Sequence, residues 1–324
     1  MDRKISVIIV NWNGEKWLKK CLDSLFWQKY RNFEVIVVDN ASEDKSAEYI
    51  KKHYPGVIII QNKENYGFAK GNNIGINKAK GKYILLINND TWVENDFISK
   101  LVKFYEDNKF DVIAPREAKY NGEKHKPYVS KIDPLGHPIY FFGDKYVNRE
   151  PFYLTGSCLF FPKKIFEETK GFDDNFFMYN EEVDWFWRLN LLNKKYSYVN
   201  DIYIYHASGG SSGSGLKYNT FLWRNQNTLQ MLLKNYSLFT LILILPLYLI
   251  QNIFEALVFL IFFKPKIAYS YLEGWVFNIK NIKKIVNERK WVQSKRLIND
   301  FQLMKRMYFG SAKLHHLLNY LENK

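Results

Sequence analysis

Three carboxylates fall within four residues at Glu181-Glu182-Val183-Asp184, beside Phe176, Phe177, Trp185 and Trp187. Acids packed among aromatics hold their protons to higher pH than exposed acids, which suits general-base work. The same cluster also fits an acidic first helical turn favoured by the helix dipole. A second group, Asn88-Asn89-Asp90-Thr91, sets one carboxylate among neutral amides. Such oxygens can hold a hard divalent cation that keeps open positions for phosphate oxygens, or they form an Asx turn. Asp39-Asn40-Ala41-Ser42 can accept hydrogen bonds from a ribose or a base N–H, or cap a helix. His206, before Ala-Ser-Gly-Gly-Ser-Ser-Gly, fits a metal or phosphate contact as well as a structural role. Neither Gly-x-Gly-x-x-Gly after a first strand nor Gly-Lys-Ser/Thr occurs, so dinucleotide and P-loop readings fail.

Positioning these groups requires a scaffold, and the first 115 residues supply a regular one. Residues 5–10, 33–38, 57–60 and 83–87 are short, mostly β-branched runs. Between them the apolar positions take helical spacing: Trp17/Leu18/Cys21/Leu22/Leu25, Ala47/Tyr49/Ile50 and Phe68/Asn72/Ile76/Ala79. This alternation predicts βαβ units and a parallel sheet covered on both faces, with ligands at the strands' carboxyl ends. Residues 11–14, 39–42 and 88–91 are polar clusters at those ends. Residues 116–150 lose the rhythm and read as a long loop or irregular hairpin. Beyond them the pattern predicts a strand over 153–161, helices over 163–169 and 181–192, and a strand over 196–205. A Gly/Ser loop, flexible by composition, follows at 209–215. Residues 238–263 are almost wholly apolar apart from Pro246, Gln251, Asn252 and Glu255, and the rest reads as basic helices.

Composition narrows the class. With 324 residues, 47% hydrophobic and 25% charged, the chain is globular rather than disordered or collagen-like. Two cysteines, Cys21 and Cys158, exclude a disulfide-dense scaffold and an all-cysteine zinc site. The apolar run at 5–10 is too short for a secretory core, so a cytoplasmic catalytic face is expected. Net charge is +14, and residues 264–324 carry 13 Lys and Arg against 4 Asp and Glu. A basic tail suits nucleic acid, anionic lipid or an anionic substrate. No zinc-finger or RNP-like motif accompanies it, so no nucleic-acid partner is expected.

Taken in order, the strings resemble the inverting family-two glycosyltransferases. They are Ile5-Ser-Val-Ile-Ile-Val-Asn-Trp-Asn-Gly14, Cys21-Leu-Asp-Ser-Leu25, Val35-Ile-Val-Val-Asp-Asn-Ala-Ser42 and Asn65-Tyr-Gly-Phe-Ala-Lys-Gly-Asn-Asn73. Further on stand Gly81-Lys-Tyr-Ile-Leu-Leu-Ile-Asn-Asn-Asp-Thr91, Thr155-Gly-Ser-Cys158, Phe177-Met-Tyr-Asn-Glu-Glu-Val-Asp184 and Arg224-Asn225. The resemblance is to the rhamnosyltransferase-like branch and runs from about residue 4 to about residue 235. It implies an α/β GT-A fold, a Rossmann-like, mostly parallel sheet flanked by helices. It also implies a nucleotide-diphosphate sugar donor (UDP- or dTDP-linked), a divalent metal (Mg²⁺ or Mn²⁺), and a glycan or lipid-linked glycan acceptor. By the same resemblance Asn11 and Asp39 hold the nucleoside, with Asn65, Asn72 and Asn73 near ribose and diphosphate, and Asn89 is a further donor-binding residue. Gly156 lines the donor sugar, Asp90 and His206 bind metal, and Glu182 is the base. Two departures stand out. Asn88 replaces the first acid of the metal motif, leaving Asp90 as its only carboxylate. Glu replaces Asp at the base position, so Glu181 or Asp184 could share the role.

Two portions are expected: residues 1–235 as catalytic domain and 236–324 as a hydrophobic and basic helical region. A helix over 238–263 would reach roughly 39 Å, enough to span a bilayer. A single span would put the basic tail outside, against the positive-inside tendency. With Pro246 mid-run, a bent helix or re-entrant hairpin in the inner leaflet is expected, held on anionic headgroups at the cytoplasmic face. The competing reading is a buried pair of core helices.

Overall fold

The computed structural model describes residues 4–207 and 217–322. The Gly/Ser loop expected at 209–215 lies outside the described residues. The expected alternation opens the chain: β1 (Ile5–Asn11), α1 (Glu15–Phe26), β2 (Phe33–Asp39), α2 (Ser46–His53), β3 (Ile58–Gln61), α3 (Gly67–Lys78) and β4 (Tyr83–Ile87). Helix α1 shows why: Leu18, Cys21, Leu22 and Leu25 recur at helical spacing and are all buried. Then come β5 (Thr91–Trp92), α4 (Phe97–Asp107), β6 (Val112–Lys119), β7 (Tyr128–Ile132) and β8 (Pro138–Phe142). The stretch 116–150 thus combines the end of β6 with a true antiparallel hairpin, β7–β8.

Next come β9 (Cys158–Pro162), α5 (Lys163–Glu168), α6 (Glu181–Leu191) and β10 (Tyr196–His206). The strand expected over 153–161 begins only at Cys158, because the preceding residues leave the sheet to line a cavity. The eight-stranded sheet runs β3-β2-β1-β4-β9-β6-β10-β5. It is a mixed sheet in which most neighbours are parallel, as expected: β1–β2, β1–β4, β2–β3 and β6–β10 are parallel, while β9 lies antiparallel to both β4 and β6, and β5 antiparallel to β10. Alternate residues of β1 feed two cores. Val7 and Ile9 pack with α1, while Ile8 packs under α3 with Ile36 and Val38.

The chain closes with α7 (Tyr218–Asn235), α8 (Leu238–Ile261), α9 (Pro265–Lys280), α10 (Ile282–Lys295), α11 (Asp300–Met304) and α12 (Ala312–Glu322). Helix α8 runs unbroken through Pro246, so the hairpin expected inside 238–263 does not form. The reversal comes after it: Phe263 takes a positive φ of 53°, and Lys264 N–H bonds back to Phe259 C=O. Thr240, Leu241, Ile244, Tyr248 and Asn252 form the one stripe of α8 that is buried. Leu241, Ile244 and Tyr248 join the same core as the β-sheet's α3 side, so residues on both sides of position 235 share a core. Among the described residues α8 alone is long and apolar enough to cross a membrane, with mean hydropathy 2.0 and 22% of that window buried. That exposure runs against a buried core pair.

Candidate active site

Parallel register places Asn11 opposite Asp39 at the carboxyl ends of β1 and β2. Asn11 Nδ2 donates to Asp39 Oδ1 at 3.0 Å and to the hydroxyls of Ser42 and Ser46, and its Oδ1 accepts from Asn89 Nδ2 at 2.8 Å. Asn11 and Asp39 are both almost fully buried. Neither reaches the cavity surface: they form a floor beneath Val10, Trp12 and Asn40, which do. Gly14 is required here, since a Cβ would collide with both Asn11 Oδ1 and Asn89 Nδ2. Asn65 and Asn89 line the cavity, whereas Asn72 and Asn73 do not. Asn72 donates to Phe68 C=O within α3. Asn73 donates to Phe172 C=O and Asp174, tying α3 to the loop before α6.

Asp90 and His206 meet where β5 pairs with the end of β10, with His206 opposite Thr91. His206 Nε2 lies 3.1 Å from Asp90 Oδ1, and Glu117 of β6 sits 3.9 Å from His206 Nδ1. Burial opposes charge on the imidazole, but the hydrogen bond and charge of Asp90, aided by Glu117, hold its pKa above the ordinary value. Nδ1 is buried with no hydrogen-bond partner. Among the described residues no group of three or more His, Cys, Asp or Glu could hold a metal ion. A two-ligand edge still fits a cation such as Mg²⁺, which takes one or two protein groups and completes its shell with water and substrate phosphates. Glu117 was missed by pattern reading because it falls in the stretch taken for a loop. Its one signal is the apolar run Val112-Ile-Ala-Pro before it.

Helix α6 starts from a strained turn: Tyr179 and Asn180 have φ of 74° and 65°. Helix α7 clamps that turn. Asn227 Nδ2 donates to the carbonyls of Met178 (3.0 Å) and Tyr179 (2.7 Å), and Asn180 Nδ2 donates to Thr228 Oγ1. Glu181 and Glu182 therefore face the cavity, with Gly156 packed on Glu182: a Cβ built on Gly156 would lie 3.6 Å from that of Glu182. Burial pushes the Glu182 carboxyl up to about 7, against backbone N–H groups and the charge of Arg224. Burial and the neighbouring Glu182 raise Glu181 further. Asp184 is a correction to the expected base candidates. It is fully buried, accepts from Arg188, Lys234 and Asn235 at 3.0 Å, and does not touch the cavity. Its charge is consumed in a structural network that also joins Lys234 to Asp173 at 2.6 Å.

The cavity encloses about 1270 Å³. It runs from the strand ends past Glu182 and Arg224 to a wall made by α8, α9 and α12. It is larger than the usual single-ligand pocket of about 300–1,000 Å³.

The family model for glycosyl transferase family 2 matches residues 6–170, the segment that builds β1 through α5. The chain belongs to that family. It is 28% identical over 229 residues to the glycosyltransferase GlyG of Streptococcus pneumoniae, covering 65% of this chain and 73% of GlyG. The chain spans 73% of the length of GlyG but only 18% of the length of another S. pneumoniae relative, the glycosyltransferase GlyA. S. aureus TarS 1-349, solved with UDP-GlcNAc, superposes with TM-score 0.58 and 16% identity over 95% of this chain and 93% of that one. The mannosyltransferase PcManGT of Pyrobaculum calidifontis, solved with GDP-Man and Mn²⁺, gives TM-score 0.54 and 15% identity, covering 90% and 83%. At these identities the likeness establishes the GT-A-like fold.

Proposed function

We propose that this chain is a glycosyltransferase that inverts the anomeric centre of a sugar, rhamnose being one candidate, in moving it from a UDP- or dTDP-linked donor to a glycan or lipid-linked glycan. The observation that carries this reading is the carboxylate of Glu182, half-buried on the cavity wall against Gly156 and pushed up to about 7 by burial. As the acceptor O–H attacks, Glu182 takes its proton and the new C1–O bond forms. The C1–O bond to the diphosphate breaks on the opposite face, and the nucleoside diphosphate leaves with the bonding pair. One displacement inverts configuration and needs no enzyme nucleophile.

Asp90 and His206 would hold a divalent cation, Mg²⁺ or Mn²⁺, in keeping with the Mn²⁺ in the PcManGT complex. When bound, such an ion neutralises charge developing on a leaving diphosphate. Trp12 and Asn40 then face the nucleoside, supported from below by Asn11 and Asp39, and Asn65, Asn89 and Gly156 face the rest of the donor. Residues 236–324 serve as the membrane-associated portion, lying in the inner leaflet at the cytoplasmic face. Support comes from the exposed apolar side chains of α8, such as Phe239 and Phe254, and from exposed Lys264 and Lys266 beyond its end. The test is a screen of UDP-, dTDP- and GDP-sugars for nucleotide release, with the product's anomeric configuration read by NMR. Retained configuration would overturn the single displacement.

A further inference from the structure

Helix α8 is apolar along nearly its whole length, yet it places Glu255 on the cavity wall. Glu255 Oε2 accepts from Tyr271 OH and from Lys313 Nζ, each at 2.6 Å, and Oε1 accepts from Gln251 Nε2 at 2.7 Å. Three helices, α8, α9 and α12, thus converge on one carboxylate. With 33% of the Lys313 and 20% of the Glu255 side chain still exposed, the ion pair contributes little as a structural tie. What the cluster adds is chemistry that faces the cavity: ammonium, phenol, carboxamide and carboxylate together offer donors and acceptors suited to several hydroxyls. Phe259 lines the same wall and supplies an apolar ring face.

The rim changes character. Phe254, Leu314 and Leu317 line the cavity while being 66%, 54% and 53% exposed. From there Leu257 and Ile261, themselves exposed, continue along α8 toward Lys264 and Lys266. A path therefore leads from a polar interior, across an apolar lip, to an apolar outer face edged by cations.

The geometry points to an acceptor subsite for an amphiphile, entering between α8 and α12. Its polyhydroxylated head lies on Glu255, Lys313, Tyr271 and Gln251, and its hydrocarbon chain leaves over Phe254, Leu314 and Leu317 into the bilayer. The word acceptor rests on the glycosyltransferase reading; the binding site itself does not.

Photolabelling of the full chain with a dodecyl glucoside carrying a diazirine in its alkyl chain tests the subsite. Mass spectrometry should place the label within 254–261 and 311–318. Excess dodecyl glucoside should compete it away, whereas methyl glucoside and dodecyl dimethylamine oxide should not. Lys313→Met should cut the labelled yield roughly tenfold, the loss expected for a charged hydrogen bond. Leu317→Asp, at an exposed position that tolerates a charge without unfolding, should do the same, while Lys305→Met, exposed and outside the cavity lining, should not. Label elsewhere in the chain, equal competition by the amine oxide, or full labelling of both Lys313→Met and Leu317→Asp would overturn the subsite. Binding of UDP, dTDP and GDP measured by calorimetry on the same samples keeps the two readings apart. Label in place without binding of any nucleotide would count against the transferase reading alone; nucleotide binding without the label would count against the subsite alone.

Discussion

Asn227 donates its side-chain amide to the backbone carbonyl of Tyr179 at 2.7 Å, so a residue of α7 holds the left-handed turn from which Glu181 and Glu182 project. The clamp spans 48 residues of sequence and has no motif of its own. Asn227→Ala removes both of its bonds and frees a strained turn. We expect kcat to fall roughly tenfold to a hundredfold, in line with losing one or two buried hydrogen bonds of about 1–1.5 kcal/mol each, with the KM for donor little changed. An equal loss in KM, or an unchanged kcat, would show that the turn holds itself.

Replacing Glu182 by Gln keeps the shape but cannot take a proton. kcat should fall by roughly two to four orders of magnitude, with nucleotide binding retained. In the wild type kcat should rise with pH through about 7, since the raised Glu182 carboxyl must be ionised to act. Asp184→Asn should instead lower thermal stability, because Arg188 and Lys234 lose a buried countercharge. A Glu182→Gln enzyme at full activity would exclude this base.

The raised carboxyls also set a stability trend. Glu181 and Glu182 bind protons more tightly folded than unfolded, so their contribution favours the fold at low pH. It fades as pH climbs from the ordinary value of 4.5 through about 7. Glu181→Gln should therefore raise the Tm above pH 7 and change it little near pH 4. A Tm gain that is the same at both pH values would contradict the assignment.

Metal dependence should run through Asp90. EDTA should inhibit reversibly, and Asp90→Ala should abolish transfer while circular dichroism stays unchanged. His206→Ala should shift the metal titration to higher concentration. Full activity in EDTA would remove the metal from the reaction.

Vesicle flotation tests the membrane face. Binding to vesicles rich in anionic lipid should weaken as salt rises, each exposed Lys near the surface contributing about 1 kcal/mol. Changing Phe262 and Phe263, 68% and 89% exposed, to Asp should reduce binding about tenfold or more without lowering the Tm. Equal binding to neutral vesicles in high salt would leave the charge without a role.

Local pattern alone determined the first half of the fold. Apolar β-branched runs and helical spacing located β1 through β4 and their helices, because each needs only a strand's or helix's own period to bury one face. The strand-end clusters and the family strings were legible for the same reason, being contiguous. Pattern could not choose among Glu181, Glu182 and Asp184. Residues two apart on a helix point about 200° away from each other, so Glu182 and Asp184 face opposite sides, and packing against Lys234 decided which side is core. Asn11, Asp39, Asn72 and Asn73 sit in the right strings yet below or beside the cavity, because their amides and carboxylates are used to bind the loops together. Glu117, Asn227, Glu255 and Lys313 reach the site from chain segments that carry no shared motif. Only the sheet order and the folding back of α8 to α12 bring them there, since long-range placement depends on which buried faces fit one another and not on any window of sequence.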